Sequence, residues 1–276
     1  MNNVIKVVIF GSWICYKYYK MMNIDIEKLK DIAIKAGDRI LEIYDDKSLS
    51  KEVDYKSDNS PLTLADKSSN DVIVKSLKEH FPEIPILSEE EKNIDYDQRK
   101  HWNTFWLVDP LDGTKEFIKR NGEFTVNIAL IQQGYPVLGV IYAPVLKKLY
   151  VGDSFNANAY IIDENDIEIP LIVNRKTKNR IAVGSRSHSS EEESELLQTY
   201  GVEETISIGS SLKFCMVAEG KADIYYRHGP TMEWDTGAGQ AIVEAAGGTV
   251  DTMKTKSRFN YNKENLLNGS FLVLGF

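Results

Sequence analysis

Phe105-Trp-Leu-Val-Asp-Pro-Leu-Asp-Gly-Thr-Lys-Glu-Phe117 decides how this chain is read. Phe105 to Val108 is a short apolar run of the kind that forms a buried strand. Asp109-Pro110 should end it, because proline has no N–H for a central ladder. Asp112, Gly113 and Thr114 follow, and Lys115 to Ile118 reads as the first turn of a helix. Two carboxylates three residues apart are therefore predicted on a tight turn beyond a strand end. They repel each other unless a positive charge lies between them. A hard cation such as magnesium takes carboxylate, water and phosphate oxygens. Backbone N–H groups near Gly113 and Thr114, at a helix start, suit an anion. An Asp-Pro turn with an aspartate cap accounts for the same residues without chemistry.

The rest of the chain weighs against that plainer reading. Asp109-Pro-Leu-Asp-Gly-Thr114 resembles the first signature of the inositol monophosphatase superfamily of magnesium-dependent, lithium-sensitive phosphatases. The flanking segment, Lys115 to Leu130, resembles its bacterial 3′(2′),5′-bisphosphate nucleotidase branch, and the similarity runs from about Asp31 to the C-terminus. The resemblance implies a layered αβαβα sandwich of the inositol monophosphatase and sugar phosphatase type. Its N-terminal half would be α+β and its C-terminal half α/β.

Composition narrows the classes. The 276 residues suffice for one large domain or two modest ones. A formal charge of −8 argues against a polymeric nucleic-acid binder, yet a small nucleotide remains open because a cation can neutralise phosphate locally. Two cysteines, Cys15 and Cys215, form no framework or zinc motif and suit a reducing cytoplasm. Val4 to Cys15 is apolar but interrupted by Lys6, too short to span a membrane. Met21-Met22 follows it, so translation is expected to start there, with residues 1–22 an extension. The rival reading is a weak membrane-surface anchor; the resemblance by itself allows peripheral association with the cytoplasmic face of the inner membrane.

Asn23 to Tyr44 has apolar residues at helical spacing, and Leu64 to His80 reads as a second helix with Asp66 in its first turn. Ile84 to Glu91 is a short strand running into Glu89-Glu90-Glu91, a run that is more often a solvated face. Asn93 to Asn103 reads as an exposed connector. Strands are expected over 124–132, 137–143 and 148–151, and a soft boundary near 155 divides a metal-binding domain, 23–155, from a substrate-side domain, 156–276. Strands and helices alternate beyond it. Gly209-Ser-Ser-Leu-Lys213 starts a helix and suits phosphate, or is an ordinary serine cap. Asp235 precedes a helix of small residues, as its cap or as a ligand.

The resemblance assigns roles. Glu89, Asp109, the Leu111 carbonyl, Asp112 and Asp235 would hold two or three Mg2+ ions. Asp66 would bond Thr114, so that Thr114 and Glu89 activate water. Glu89, Leu111, Asp112, Gly113, Thr114, Ser185, His188, Gly209, Lys213 and Asp235 would contact substrate. The expected reaction removes the 3′-phosphate of 3′-phosphoadenosine 5′-phosphate, a by-product of sulfate assimilation. The alternatives are an inositol phosphate phosphatase and, from another class, a non-catalytic metal or nucleotide binder.

Overall fold

Apolar spacing of three and four residues from Ile26 onward produces α1 (Ile26–Asp45), whose inner face is Leu29, Ile32, Ala33, Ala36, Ile40 and Ile43. Asp25 caps it, accepting from Glu27 N at 3.0 Å. The computed structural model describes residues 24–46, 53–55, 61–91, 93–184 and 191–276, so the expected N-terminal extension lies outside the described residues. A two-stranded hairpin, β1 (Val53–Tyr55) and β2 (Pro61–Thr63), leads into α2 (Leu64–His80). Then come β3 (Ile86–Ser88), a 3-10 turn (Glu89–Glu91), α3 (Tyr96–Arg99), β4 (Thr104–Asp112) and α4 (Thr114–Lys119). An antiparallel meander follows: β5 (Thr125–Gln132), β6 (Tyr135–Ala143), β7 (Lys148–Asp153), β8 (Asn158–Ile162) and β9 (Glu168–Pro170). The second half comprises β10 (Arg180–Gly184), α5 (Glu191–Thr199), β11 (Val202–Ser207), α6 (Leu212–Ala218), β12 (Ile224–Arg227), a 3-10 turn (Glu233–Asp235), α7 (Gly237–Ala245), β13 (Thr249–Thr252) and β14 (Phe271–Leu274).

Two sheets order these elements. The larger runs β3-β4-β5-β6-β7-β8-β9, with only β3 and β4 parallel. The smaller runs β11-β10-β12-β14-β13 and is mixed. Alternation along β4 sorts the core. Trp106 and Val108 pack with α1 and α2, whereas Phe105 and Leu107 pack with α6 and α7. The smaller sheet lies over the other side of α6 and α7 through Val183, Tyr225, Phe271 and Val273. Its outer face, Ala182, Ile224, Tyr226 and Leu272, meets Leu197 of α5. The result is the expected αβαβα layering.

Three local expectations need correction. β4 does not stop before Pro110: it continues to Asp112, with its register against β5 shifting between Asp109 and Asp112. A bulge there accommodates a residue that cannot donate to the ladder. The first sheet also runs past residue 155, through Pro170; the polar edge strand β9 is exposed and so reads like a linker. One core cluster spans both halves, from Leu87 to Val273. Finally, the 93–103 connector contains the buried Arg99, which donates to Asn262 Oδ1 at 2.9 Å and to the carbonyls of Lys263 and Glu264 at 2.7 and 2.8 Å.

α7 approaches the large sheet backbone to backbone. A Cβ added to Gly139 would lie 2.4 Å from the Ala238 carbonyl oxygen, and one added to Gly152 would lie 2.4 Å from Ile242 Cα. This fit holds the residues just before α7 against β4. Gly152→Ala should therefore destabilise the fold by about 2–3 kcal/mol, through overpacking that rigid backbone must absorb. Gly269→Ala, where a Cβ meets nothing within 4 Å, should stay within about 0.5 kcal/mol of wild type. Urea unfolding of the two variants checks the contrast.

Candidate active site

β3 and β4 are parallel, and Ser88 pairs in register with Val108. Glu89 and Asp109, the next residues of each, therefore emerge side by side at one end of the sheet. α2 is tied to the same end: Ser69 Oγ donates to the Pro110 carbonyl at 2.7 Å, and Ser88 Oγ donates to Asn70 Oδ1 at 2.6 Å. Asp66, in the first turn of α2, is fully buried. Asp235 arrives from the second half on the 3-10 turn. That turn is fixed by buried Glu233, which accepts from the N–H groups of Asn262 and Lys263 at 2.7 and 2.9 Å. Five acids predicted from four segments thus share one sheet end.

Their electrostatics agree with that placement. Burial pushes the Asp109 carboxyl well above the ordinary carboxylate range, and Glu89, Asp112, Asp235 and Asp66 push it further. Asp235 is also raised, by burial and then Asp112; the Met232 N–H at 2.8 Å and Arg227 partly offset this. The acids feel one another, yet among the described residues no three Asp, Glu, His or Cys side chains close on one point tightly enough to hold an ion. The acids are adjacent without converging on one point. Asp112 Oδ2 is turned to Ser211, accepting from its N–H at 2.5 Å and its hydroxyl at 2.6 Å, and Asp235 Oδ2 is turned to Met232. An all-oxygen set of buried and half-buried like charges fits a hard cation, which would relieve the repulsion directly.

Other expectations resolve unevenly. Thr114 Oγ1 donates to the Leu111 carbonyl at 3.4 Å rather than to Asp66, so the expected Asp66–Thr114 bond is not formed. In the first turn of α4, the threonine folds back on its own preceding turn. Asp235 does not cap α7; Thr236 occupies that position. Ser211 stands at the cap position of α6 but makes no side-chain cap bond, because its hydroxyl goes to Asp112. Gly113 has φ +93°, and a Cβ on it would sit 3.1 Å from the Glu123 carbonyl and 3.2 Å from Ser210 Cβ, so glycine is required. Gly209 donates to Glu123 Oε2 at 2.7 Å. Ser185 and His188 lie outside the described residues.

Asp112, Gly113, Gly209, Lys213 and Asp235 line a cavity of about 210 Å³. Lys213 is almost wholly buried and donates to the carbonyls of Ser210 and Ile208 at 2.7 and 3.3 Å. Burial lowers its pKa to about 8, against the opposing pull of Asp112. Lys115, Lys119 and Arg227 share the cavity, so cations face the acids across it. Arg227 was not foreseen from the sequence; a lone cation ending the apolar strand Ile224-Tyr-Tyr is the signal that marks it. A larger groove of about 870 Å³ beside β8 and β9 contains none of these residues and mixes charges of both signs.

The family model for the inositol monophosphatase family matches residues 23–272. The chain belongs to that family. It is 48% identical over 250 residues to the 3′(2′),5′-bisphosphate nucleotidase CysQ of Salmonella typhimurium, covering 90% of this chain and 98% of that protein. It is 44% identical to the same-named protein of Buchnera aphidicola, over 91% and 92%. A crystal structure of CysQ from Bacteroides thetaiotaomicron superposes with a TM-score of 0.79 at 44% identity, covering 91% and 98%. Inositol monophosphatase from Anabaena superposes at 0.69 and 26% identity, covering 90% and 89%. No helix among the described residues is long and apolar enough to cross a membrane.

Repulsion within the acid cluster makes a prediction for the metal-free protein. Asp109 binds a proton more tightly folded than unfolded, so its contribution to stability is largest at low pH and is lost as pH rises through its elevated pKa. In chelator, wild-type Tm should fall between pH 5 and 8 by several degrees more than that of Asp109→Asn, at about 2–4 °C per kcal/mol of repulsion relieved. Calorimetric scans of both proteins across that range measure it.

Proposed function

We propose that the chain is a metal-dependent phosphatase of bisphosphate nucleotides, hydrolysing 3′-phosphoadenosine 5′-phosphate to AMP and phosphate. The observation that carries this reading is the joining of an oxygen-only acid cluster to a cation-lined cavity, in a chain 48% identical to a CysQ nucleotidase. Glu89, Asp109, the Leu111 carbonyl, Asp112 and Asp235 would hold two or three magnesium ions. Bound magnesium supplies charge neutralisation on phosphate and activation of water.

The chain's own groups do the positioning. Glu89, half-buried beside Asp109, accepts a hydrogen bond from the attacking water. Among the described residues the Thr114 hydroxyl makes one long bond, which a rotation of its side chain toward Asp66 would replace with a charge-assisted one. Thr114 then orients the water, and Asp66 receives the proton through it. The water oxygen bonds to the 3′-phosphorus as the bond from phosphorus to the ribose 3′-oxygen breaks, and that oxygen takes up a proton from solvent water, to which Asp66 returns its own. Lys213 and Arg227 hold the phosphate that is not cleaved, and Ser185 and His188 are assigned to the nucleotide side. The cysteine content is consistent with action in the cytoplasm.

Phosphate release with Mg2+ from 3′-phosphoadenosine 5′-phosphate and from inositol 1-phosphate, measured in parallel, tests the reading. At least a tenfold higher kcat/KM for the nucleotide is expected; a preference for inositol phosphate would leave the catalytic centre but overturn the pocket, and no release from either would overturn the enzyme reading. The lysine adds a pH signature. Lys213 is cationic below about pH 8 and neutral above it, so kcat/KM for the bisphosphate should fall as pH rises through about 8. In Lys213→Met, kcat/KM should already be low at pH 7 and should lack that step.

A further inference from the structure

We propose that Ser211, held by Asn127, is a positioning residue that orients the Asp112 carboxylate for its cation and ties that orientation to the contact between the two halves. This inference rests on the metal-phosphatase reading above. A single oxygen, Asp112 Oδ2, accepts from Ser211 N at 2.5 Å, from Ser211 Oγ at 2.6 Å and, at 3.5 Å, from Asn127 Nδ2. Behind the serine, Asn127 Nδ2 donates to Ser211 Oγ at 2.7 Å, and Thr125 Oγ1 donates to Asn127 Oδ1 at 3.0 Å. Ser211 Oγ also lies 3.1 Å from the Asp235 carbonyl. Thr125, Asn127 and Ser211 are 0%, 1% and 2% exposed.

The chain of donors has one direction. The Thr125 hydroxyl points to Asn127, the Asn127 amide to Ser211, and the Ser211 hydroxyl to the carboxylate. Each member donates to the next, so the chain ends on acceptors, and of the two that face the Ser211 hydroxyl the Asp112 carboxylate, at 2.6 Å, is closer than the Asp235 carbonyl, at 3.1 Å. Oδ2 is thereby committed to protein donors, while Oδ1 accepts no hydrogen bond among the described residues and is left for an ion. A capping role does not explain the serine, because it makes no side-chain cap bond. The clamp also crosses the molecule. Asp112, Asn127 and Thr125 belong to the large sheet, whereas Ser211 leads into α6 and touches the backbone of the turn that carries Asp235. Partners that fix a ligand in this way are typically worth 10–100-fold in metal affinity.

The experiment is Mn2+ binding to the full chain, stripped with chelator and free of substrate, followed by electron paramagnetic resonance. Ser211→Ala should bind Mn2+ about 10–100-fold more weakly than wild type while its metal-free circular dichroism spectrum is unchanged. Asn127→Ala, which releases the same clamp from behind, should weaken binding in the same direction and serves if Ser211→Ala does not fold. Wild-type Mn2+ affinity in either folded variant overturns the inference, even if its Tm is lowered, since a merely structural serine would give that result. A wild-type protein that binds no Mn2+ would overturn the metal-site reading and this inference together.

Discussion

Like charge confined in a small, partly buried volume is the constraint on which the rest of this structure depends. Asp66, Asp109, Asp112, Asp235 and Glu89 meet at one sheet end, and the charges acting most strongly on Asp109 are negative. Burying one ionised carboxylate without a partner costs several kcal/mol after relaxation, and gathering several compounds the cost. Such a cluster persists only if a proton or a cation relieves it. The metal-free protein must take the proton route, which raises the aspartate pKa values; a divalent cation takes the other.

The surrounding architecture makes that concentration of charge affordable. Trp106 and Val108 anchor β4 to α1 and α2, and Phe105 and Leu107 anchor it to α6 and α7, so the strand carrying Asp109 and Asp112 is buried on both faces. Fully burying side chains of this size contributes about 1.5–3 kcal/mol each before entropic costs. Gly139 and Gly152 let α7 settle on the sheet, and Glu233 and Arg99 fix the loops beside it. Rigid supports on both sides hold the acids where mutual repulsion would otherwise spread them.

Much of this was legible in the residues. Asp109-Pro-Leu-Asp-Gly-Thr114 revealed its paired acids, its glycine and the helix start after them, because those features follow from neighbours in the chain. α2 was bounded correctly for the same reason. What escaped depended on distant partners. The bulge at Pro110 exists because β5 continues to pair beyond it, and β9 looked like a linker because this short edge strand is exposed along its length. Gly209-Ser-Ser211 left phosphate binding and an ordinary serine cap both open because the partner of Ser211, Asp112, is far away in the chain. Thr125 and Asn127 were the overlooked clue: two polar residues inside the strand Thr-Val-Asn-Ile-Ala-Leu-Ile-Gln have to be satisfied somewhere. Arg227 was similarly visible as one cation at the end of an aromatic strand, but its cavity forms only when the halves meet.

The central claim is that the acid cluster is a cation site built from both halves of the chain. The most direct measurement is X-ray diffraction from crystals soaked in Mn2+, collected where manganese scatters anomalously. The account predicts anomalous difference density bounded by Glu89, Asp109, Asp112 and Asp235. A fully soaked crystal with no density there, or with manganese only at exposed carboxylates elsewhere, would contradict it.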